Sequence, residues 1–548
     1  MNQQGYQWAR PGDVNAFFGL MLDNIAGLVL LVSMLSTGYG FPVDFALAYM
    51  VPGTAIGVLV GDMIFFVMAF MLAKRIGSNS VTAMPLGLDT PSTIGMALLV
   101  LGPAYTAGIE SGLDSQAAAM QTWHIGMLAI LITGVIKAFG ATIANWIHRV
   151  FPRAGLLGSL AAIALVLISF SQMPKIGESP IVGLASLVIV FITLIGRKHL
   201  PGKVPGALAA VGVGCLLYYL LFAIQNGTGM ALVPVAHSLG DEPVWFPQQW
   251  MEAWKFQWLS METLKLTVPY LGYIVPFAVV TIVGGVDCAE SAASVGDKFK
   301  TSRVIGAEAI ATVVAALCGG VIQTTPYIGH PAYKAMGGRA AYVLATALFI
   351  GGAGLAGYFS YLFLWIPEAA VLPILIFIGI EITAQSFHAT PRRHYAAIAV
   401  ACIPALAKLV AIQLSMFMGV MDFSSVPEGA AAFLQGHLLV INVLAGGFIF
   451  TSLIWASAVA KIIDRRYVTA AWYLVAASVL VLFGVMHSPL AGDRMFWPTE
   501  IAEMATDSRG YVIQYCIAYL VMAAICFGMS AVTTKDEFID TDEAFENI

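Results

Sequence analysis

The chain has 548 residues, 59% of them hydrophobic and only 10% charged, with a formal net charge of −5. A mean hydropathy of +0.85 excludes an ordinary soluble fold, and apolar runs such as 181–195 and 470–485 read as parts of membrane spans. Nucleic-acid binding is excluded by the lack of a basic patch with interleaved aromatics, and six isolated cysteines give neither a disulfide framework nor a metal cage.

The first apolar run starts near Val14, outlasts a signal-peptide core and lacks a basic flank, so it reads as the first helix rather than a leader. Further spans follow at about 45–73, 83–103, 122–144, 155–172, 179–196 and 204–226. Beyond a long loop come about 267–293, 303–322, a short 328–338, 340–366, 367–386, 393–419 and 435–460, and then 468–487 and 510–533. A cytoplasmic N-terminus puts Lys74, Arg75, Arg149, Arg153, Arg197, Arg392, Arg393, Arg465 and Arg466 on inner loops, while outer loops hold Lys175, Lys255, Lys265, Arg494 and Arg509. That is a positive-inside bias, and it predicts both termini in the cytoplasm of a bacterial inner-membrane protein.

Two stretches break the spans, Pro85-Leu-Gly-Leu-Asp-Thr-Pro91 and Thr325-Pro-Tyr-Ile-Gly-His-Pro331. Lipid offers backbone groups no partners, so such breaks occur where they line an enclosed cavity. Each falls in the third span of a seven-span unit. Seven is odd, so the two units lie in opposite orientations, the inverted repeat of secondary transporters. The expected fold is an all-α polytopic membrane protein of two inverted seven-helix repeats, broken in helices 3 and 10, with two extra C-terminal helices. Residues 1–226 form the first repeat and 227–266 an extracytoplasmic loop whose Trp245, Trp250, Trp254 and Trp258 suit a membrane interface. Residues 267–461 form the second repeat, 462–533 the extra helices and 534–548 an acidic cytoplasmic tail.

Asp287 and Glu290 lie three residues apart on one helical face of an otherwise apolar span. Charges at that depth are costly and face cavities or relays, which makes both candidates for substrate contact and cation coupling. Capping of the cytoplasmic end of helix 8 is the structural alternative. Asp23 and Asn24 are the equivalent polar insertion in the first repeat, Asn24 offering a donor and an acceptor and Asp23 a coupling carboxylate; helix–helix hydrogen bonding explains Asn24 equally well. At the breaks, Pro85, Gly87, Asp89, Gln323, Thr324, Thr325, Tyr327, Gly329 and His330 supply polar side chains or free backbone groups, with half-helix N-termini beyond each break. No P-loop, H-E-x-x-H or G-x-S-x-G motif occurs, so direct use of ATP and intramembrane hydrolysis are unsupported and no enzyme is expected.

Three segments carry a family resemblance: Thr324-Thr-Pro-Tyr-Ile-Gly-His-Pro331, Ala83-Met-Pro-Leu-Gly-Leu-Asp89 and Ala289-Glu-Ser291. With them the chain resembles the nucleobase–cation symporter-2 superfamily, the xanthine/uracil permeases, with the hypoxanthine/guanine/adenine branch as one placement. The resemblance implies a core domain moving against a gate domain, short strands at the breaks, a homodimer through the gate side, and Glu290 as the acid contacting the base. Where the family carries a substrate-contacting Glu in helix 10, this chain has Gly329 followed by His330, with Asp287 as a replacement carboxylate. The leading expectation is therefore a proton- or sodium-coupled symporter of a nucleobase or similar planar nitrogen heterocycle, needing no cofactor beyond the coupling ion. The alternative is an anion transporter of the sulphate/bicarbonate/borate type, which shares the architecture; Asp287 with Glu290 weigh against it.

Overall fold

A computed structural model describes residues 6–198, 200–234, 245–327, 329–418, 428–490 and 494–532. The acidic tail and residues 235–244 of the long loop lie outside the described residues. The chain is a helical, polytopic membrane protein. Among the described residues ten helices are long and apolar enough to cross a bilayer, or twelve when each of two bent pairs counts as one span.

The first repeat runs α1 (Gly12–Tyr39), α2 (Val43–Ile76), β1 (Leu86–Leu88), α3 (Thr90–Glu110), α4 (Ser115–Val150), α5 (Arg153–Glu178), α6 (Pro180–Ile195) and α7 (Gly206–Thr228). The second runs α8 (Leu271–Ser294), α9 (Thr301–Leu317), β2 (Thr324–Pro326), α10 (His330–Ala335) and α11 (Ala341–Leu355, continued past a 91° bend by Phe359–Trp365). It is completed by α12 (Glu368–His388), α13 (Tyr395–Met418) and α14 (Glu428–Ala445 with Phe448–Ile463). Two further helices follow, α15 (Tyr467–Leu482) and α16 (Thr506–Val532).

The strands settle the direction of the repeat. Each occupies the same place in its half, after the second helix, and the two pair antiparallel with Leu86 opposite Pro326, Gly87 opposite Thr325 and Leu88 opposite Thr324. Equivalent elements that pair antiparallel belong to repeats running in opposite directions. One expected crossing is corrected: α10 has six residues, about 9 Å of helix against a hydrocarbon core of about 30 Å. Pro331 starts it and Gly337, at φ +85°, follows its end, so it is a half-helix.

By contacts the chain forms two compact units. The first comprises Met1–Asn145, Ile168–Val268 and Tyr273–Ile378. Its core between α1, α2, α8, α9 and α11 is filled by Leu20, Phe65, Leu72, Met84, Leu86, Val304 and Tyr342. The loop tryptophans do not act alike. Trp245 and Trp254 are exposed, but Trp250 and Trp258 are buried, because a 3-10 turn over Gln249–Lys255 folds the segment on itself and the Trp258 indole donates to the Ala253 carbonyl at 2.8 Å.

The second unit comprises Trp146–Leu167, Pro269–Gly272 and Gly379–Ile548. In it the extra helices are bound into the fold. Trp455 of α14 and the buried His487 both meet the Tyr519 hydroxyl of α16, each at 2.7 Å, and His487 also lies 3.0 Å from the Val443 carbonyl of α14.

Candidate substrate site at the paired breaks

A two-stranded sheet has two open edges, and at membrane depth each outward N–H and C=O needs a partner. The sheet is continued past its strands by Tyr327 N–H to the Pro85 carbonyl at 2.9 Å and by Asp89 N–H to the Gln323 carbonyl at 3.1 Å. Outward groups are met by side chains from four helices. Leu88 N–H donates to Asn24 Oδ1 of α1 at 3.0 Å, and Leu86 N–H to Asp62 Oδ1 of α2 at 3.3 Å. On the other strand, Lys137 Nζ of α4 donates to the Thr324 carbonyl at 3.0 Å, and Cys288 Sγ of α8 to the Pro326 carbonyl at 3.1 Å.

The inverted repeat is visible in these contacts. Its two-fold relation matches Leu88 to Pro326 and Leu86 to Thr324. Thus Asn24 on α1 corresponds to Cys288 on α8, each bracing the end of its strand and each preceded by an acid, Asp23 or Asp287. Asp287 is buried, like Asp23. The side chain of Glu290, the first choice for substrate contact in the sequence, lies outside the described residues.

Three expected site residues converge. A Cβ on Gly87 would lie 2.6 Å from Tyr327 Oη and within 2.8–2.9 Å of the Asn24 amide atoms, so only glycine lets both side chains reach the strand. Tyr327 Oη, Thr324 Oγ1 and Asp23 Oδ1 are buried without hydrogen-bond partners among the described residues. Buried polar atoms are ordinarily satisfied, so these three are open to a ligand's polar atoms.

Asp89 and Gln323 form a second group. Asp89 caps α3: its Oδ2 accepts from Ser92 N–H at 3.1 Å and from Gln323 Nε2 at 3.1 Å, while Thr281 Oγ1 donates to Gln323 Oε1 at 3.3 Å. Positive charge from Lys137 reaches the same carboxylate. A helix N-terminus and an amide thus hold one carboxylate.

His330 does not face this group. Its Nε2 lies 2.9 Å from Asp297 Oδ2, Lys334 Nζ is 2.8 Å from Asp297 Oδ1, and Thr82 N–H donates to Oδ2 at 3.2 Å. Asp297 therefore clamps α10 to the turn after α8 and to the segment ahead of β1. Burial opposes its ionisation, but the bonds and charges of His330 and Lys334 outweigh burial and hold the carboxyl below the usual carboxylate range. A depressed carboxyl contributes stability above its unfolded value of about 4 and loses it as pH falls through the folded value. Asp297→Asn is thus expected to lower the melting temperature at pH 7, with the gap to wild type closing below about pH 4, as a pH series of melts in detergent will show.

Sequence reasoning missed Asp62, Lys137, Glu308 and Asp297. Lys137 and Glu308 are fully buried, 2.6 Å apart, and each is a charge inside an expected span. A search of the spans for every ionisable residue would have found them and Asp62.

No family model and no curated relative matches the chain. Among solved structures it is similar to the transmembrane domain of a cyanobacterium bicarbonate transporter, BicA, at 13% identity over 74% of this chain and 97% of that one, TM-score 0.43. Two others are SLC26A9, at 13% identity over 75% and 66%, TM-score 0.45, and the murine anion transporter Slc26a9 in its inward-facing state, at 15% over 75% and 69%, TM-score 0.39. The first of these is named a bicarbonate transporter and the third an anion transporter, and the expected place in the nucleobase–cation symporter-2 superfamily, with its nucleobase substrate, is withdrawn. The site agrees with the correction. Asn24 already accepts from Leu88 and donates to the Leu20 carbonyl at 2.9 Å, Gln323 is bound to Asp89 and Thr281, and the start of α10 offers glycine and a histidine turned to Asp297 in place of a base-contacting carboxylate.

Proposed function

We propose that the chain is a secondary transporter of a small inorganic oxyanion, working by alternating access, with its substrate site at the paired breaks of the first unit. The observation that carries this reading is the seat of the Asp89 carboxylate. Ser92 N–H at the start of the 21-residue helix α3 and the Gln323 amide are donors of the kind an oxyanion needs, and the charge of Lys137 acts on the same carboxylate. Asp89 stands there as a resident carboxylate, and a mobile oxyanion of similar size competes for the same donors. Tyr327 Oη adds an uncommitted donor close by.

Asp287 with Glu290 weighed against an anion in the sequence, and the acids near the breaks bear on the stoichiometry of this reading. Asp23, Asp89 and Asp287 repel an anion while ionised, so the anion travels with a cation that offsets part of this negative charge.

Thermal melts of the purified protein test the class. A ligand at 100 times its Kd stabilises the folded state by about 2.7 kcal/mol. Sulphate, bicarbonate and nitrate are expected to raise the melting temperature in a saturable way at constant ionic strength, and uracil, xanthine and adenine to leave it unchanged. Stabilisation by the bases alone would refute the reading.

A further inference from the structure

The two second helices of the repeat each carry one buried acid near a strand, and among the described residues only one of the two has a counter-ion. On α9, Glu308 is fully buried with Lys137 Nζ 2.6 Å from its Oε1, and that lysine holds the Thr324 carbonyl of β2. On α2, Asp62 is also fully buried. Its Oδ1 accepts from Leu86 N–H of β1, the residue matched to Thr324 by the repeat, while its Oδ2 has no hydrogen-bond partner among the described residues.

Among the described residues, the helices and strands with the broadest contact to α2 bring Asp62 no cation. From α11 comes Tyr342, and Tyr333 of α10 also lies within reach of the Asp62 charge. Packed α9 brings Glu308, already paired with Lys137, and β1 and β2 bring no ionisable side chain. Asp23 of α1 acts on the same Tyr333 and is a second acid rather than a partner. An uncompensated carboxylate in a dry, low-dielectric interior is costly, and a proton is the cation that fits where no ligand shell exists.

We infer that Asp62 is the proton-carrying residue of the transport cycle, taking up one proton on Oδ2 and releasing it on the other side, while Glu308 keeps Lys137 as its partner. Oδ1 keeps its bond to Leu86 in both states, so β1 is supported throughout. Loading and release are a plain acid–base step: the carboxylate gains a proton from water on one side and returns it to water on the other. This inference rests on the transporter reading above and adds the coupling ion and its carrier, neither of which that reading assigns.

The test compares wild type with Asp62→Asn in proteoliposomes, with labelled sulphate as the probe anion. The amide keeps an oxygen for Leu86 N–H, so the strand retains its support. Expected results are sulphate counterflow at equal pH comparable to wild type, and loss of the accumulation that an imposed pH gradient drives. Retained pH-driven accumulation overturns the inference, and so does loss of counterflow together with accumulation, which would make Asp62 a structural residue. A wild type that moves no sulphate at all counts against the transporter reading, and a second readout then decides the proton site. Infrared difference spectra between acid and alkaline pH are expected to lose one carboxyl C=O component when Asp62→Asn is compared with wild type; identical spectra overturn the assignment.

Discussion

Lys137→Met is expected to lower stability by about 3–5 kcal/mol, the cost of leaving one member of a buried ion pair without its partner. In the wild-type protein the lysine joins three elements, since it sits on α4, pairs with Glu308 of α9 and holds the Thr324 carbonyl of β2. Removing it strands a fully buried carboxylate and frees a backbone carbonyl at membrane depth. Melting curves in detergent should show the loss directly. Lys137→Met combined with Glu308→Gln removes both charges and is expected to recover most of it, leaving about 1–3 kcal/mol for the unsatisfied Thr324 carbonyl. A single variant as stable as wild type would mean that the pair does not hold β2.

Gly87→Val is expected to weaken substrate binding by about ten- to a hundredfold, from the 1–3 kcal/mol typical of overpacking. Even the first added carbon meets Tyr327 Oη at 2.6 Å and the Asn24 amide at 2.8–2.9 Å. Tyr327 can swing away, but Asn24 is held by Leu88 N–H and the Leu20 carbonyl, so the strand or α1 must shift. Gly38 is the control, because an added carbon there meets nothing within 4 Å and Gly38→Ala should bind the probe anion as wild type does. Sulphate titrations followed by melting temperature separate the two variants.

The breaks were legible because proline and glycine act locally: Pro85, Gly87, Pro91, Pro326, Gly329 and Pro331 forbid a continuous helix whatever surrounds them. Opposed halves were expected from an odd span count, but α10 does not cross, and it is the antiparallel strand pairing that gives the direction of the repeat. What the strand edges bond to was not legible, because it depends on which helices the fold brings beside them. Asp62 lies 24 residues before its strand partner and Lys137 lies 187 before its own, and no local pattern links such positions. The substrate class was misread for a related reason. Thr324-Thr-Pro-Tyr327 and Ala289-Glu-Ser291 are shaped by the strand and by close helix packing, so their likeness to a permease motif reports backbone form more than substrate chemistry. The tryptophans of the long loop show the same limit, as Trp250 and Trp258 fold inward where composition alone suggested an interface.

Uptake of labelled sulphate into proteoliposomes, with the inside alkaline and the outside acid, tests the central claim most directly. The account predicts saturable accumulation that collapses with the pH gradient, is competed by other oxyanions and is unaffected by uracil, xanthine or adenine. Gradient-driven uptake of one of those bases, with no oxyanion moved under any gradient, would contradict it.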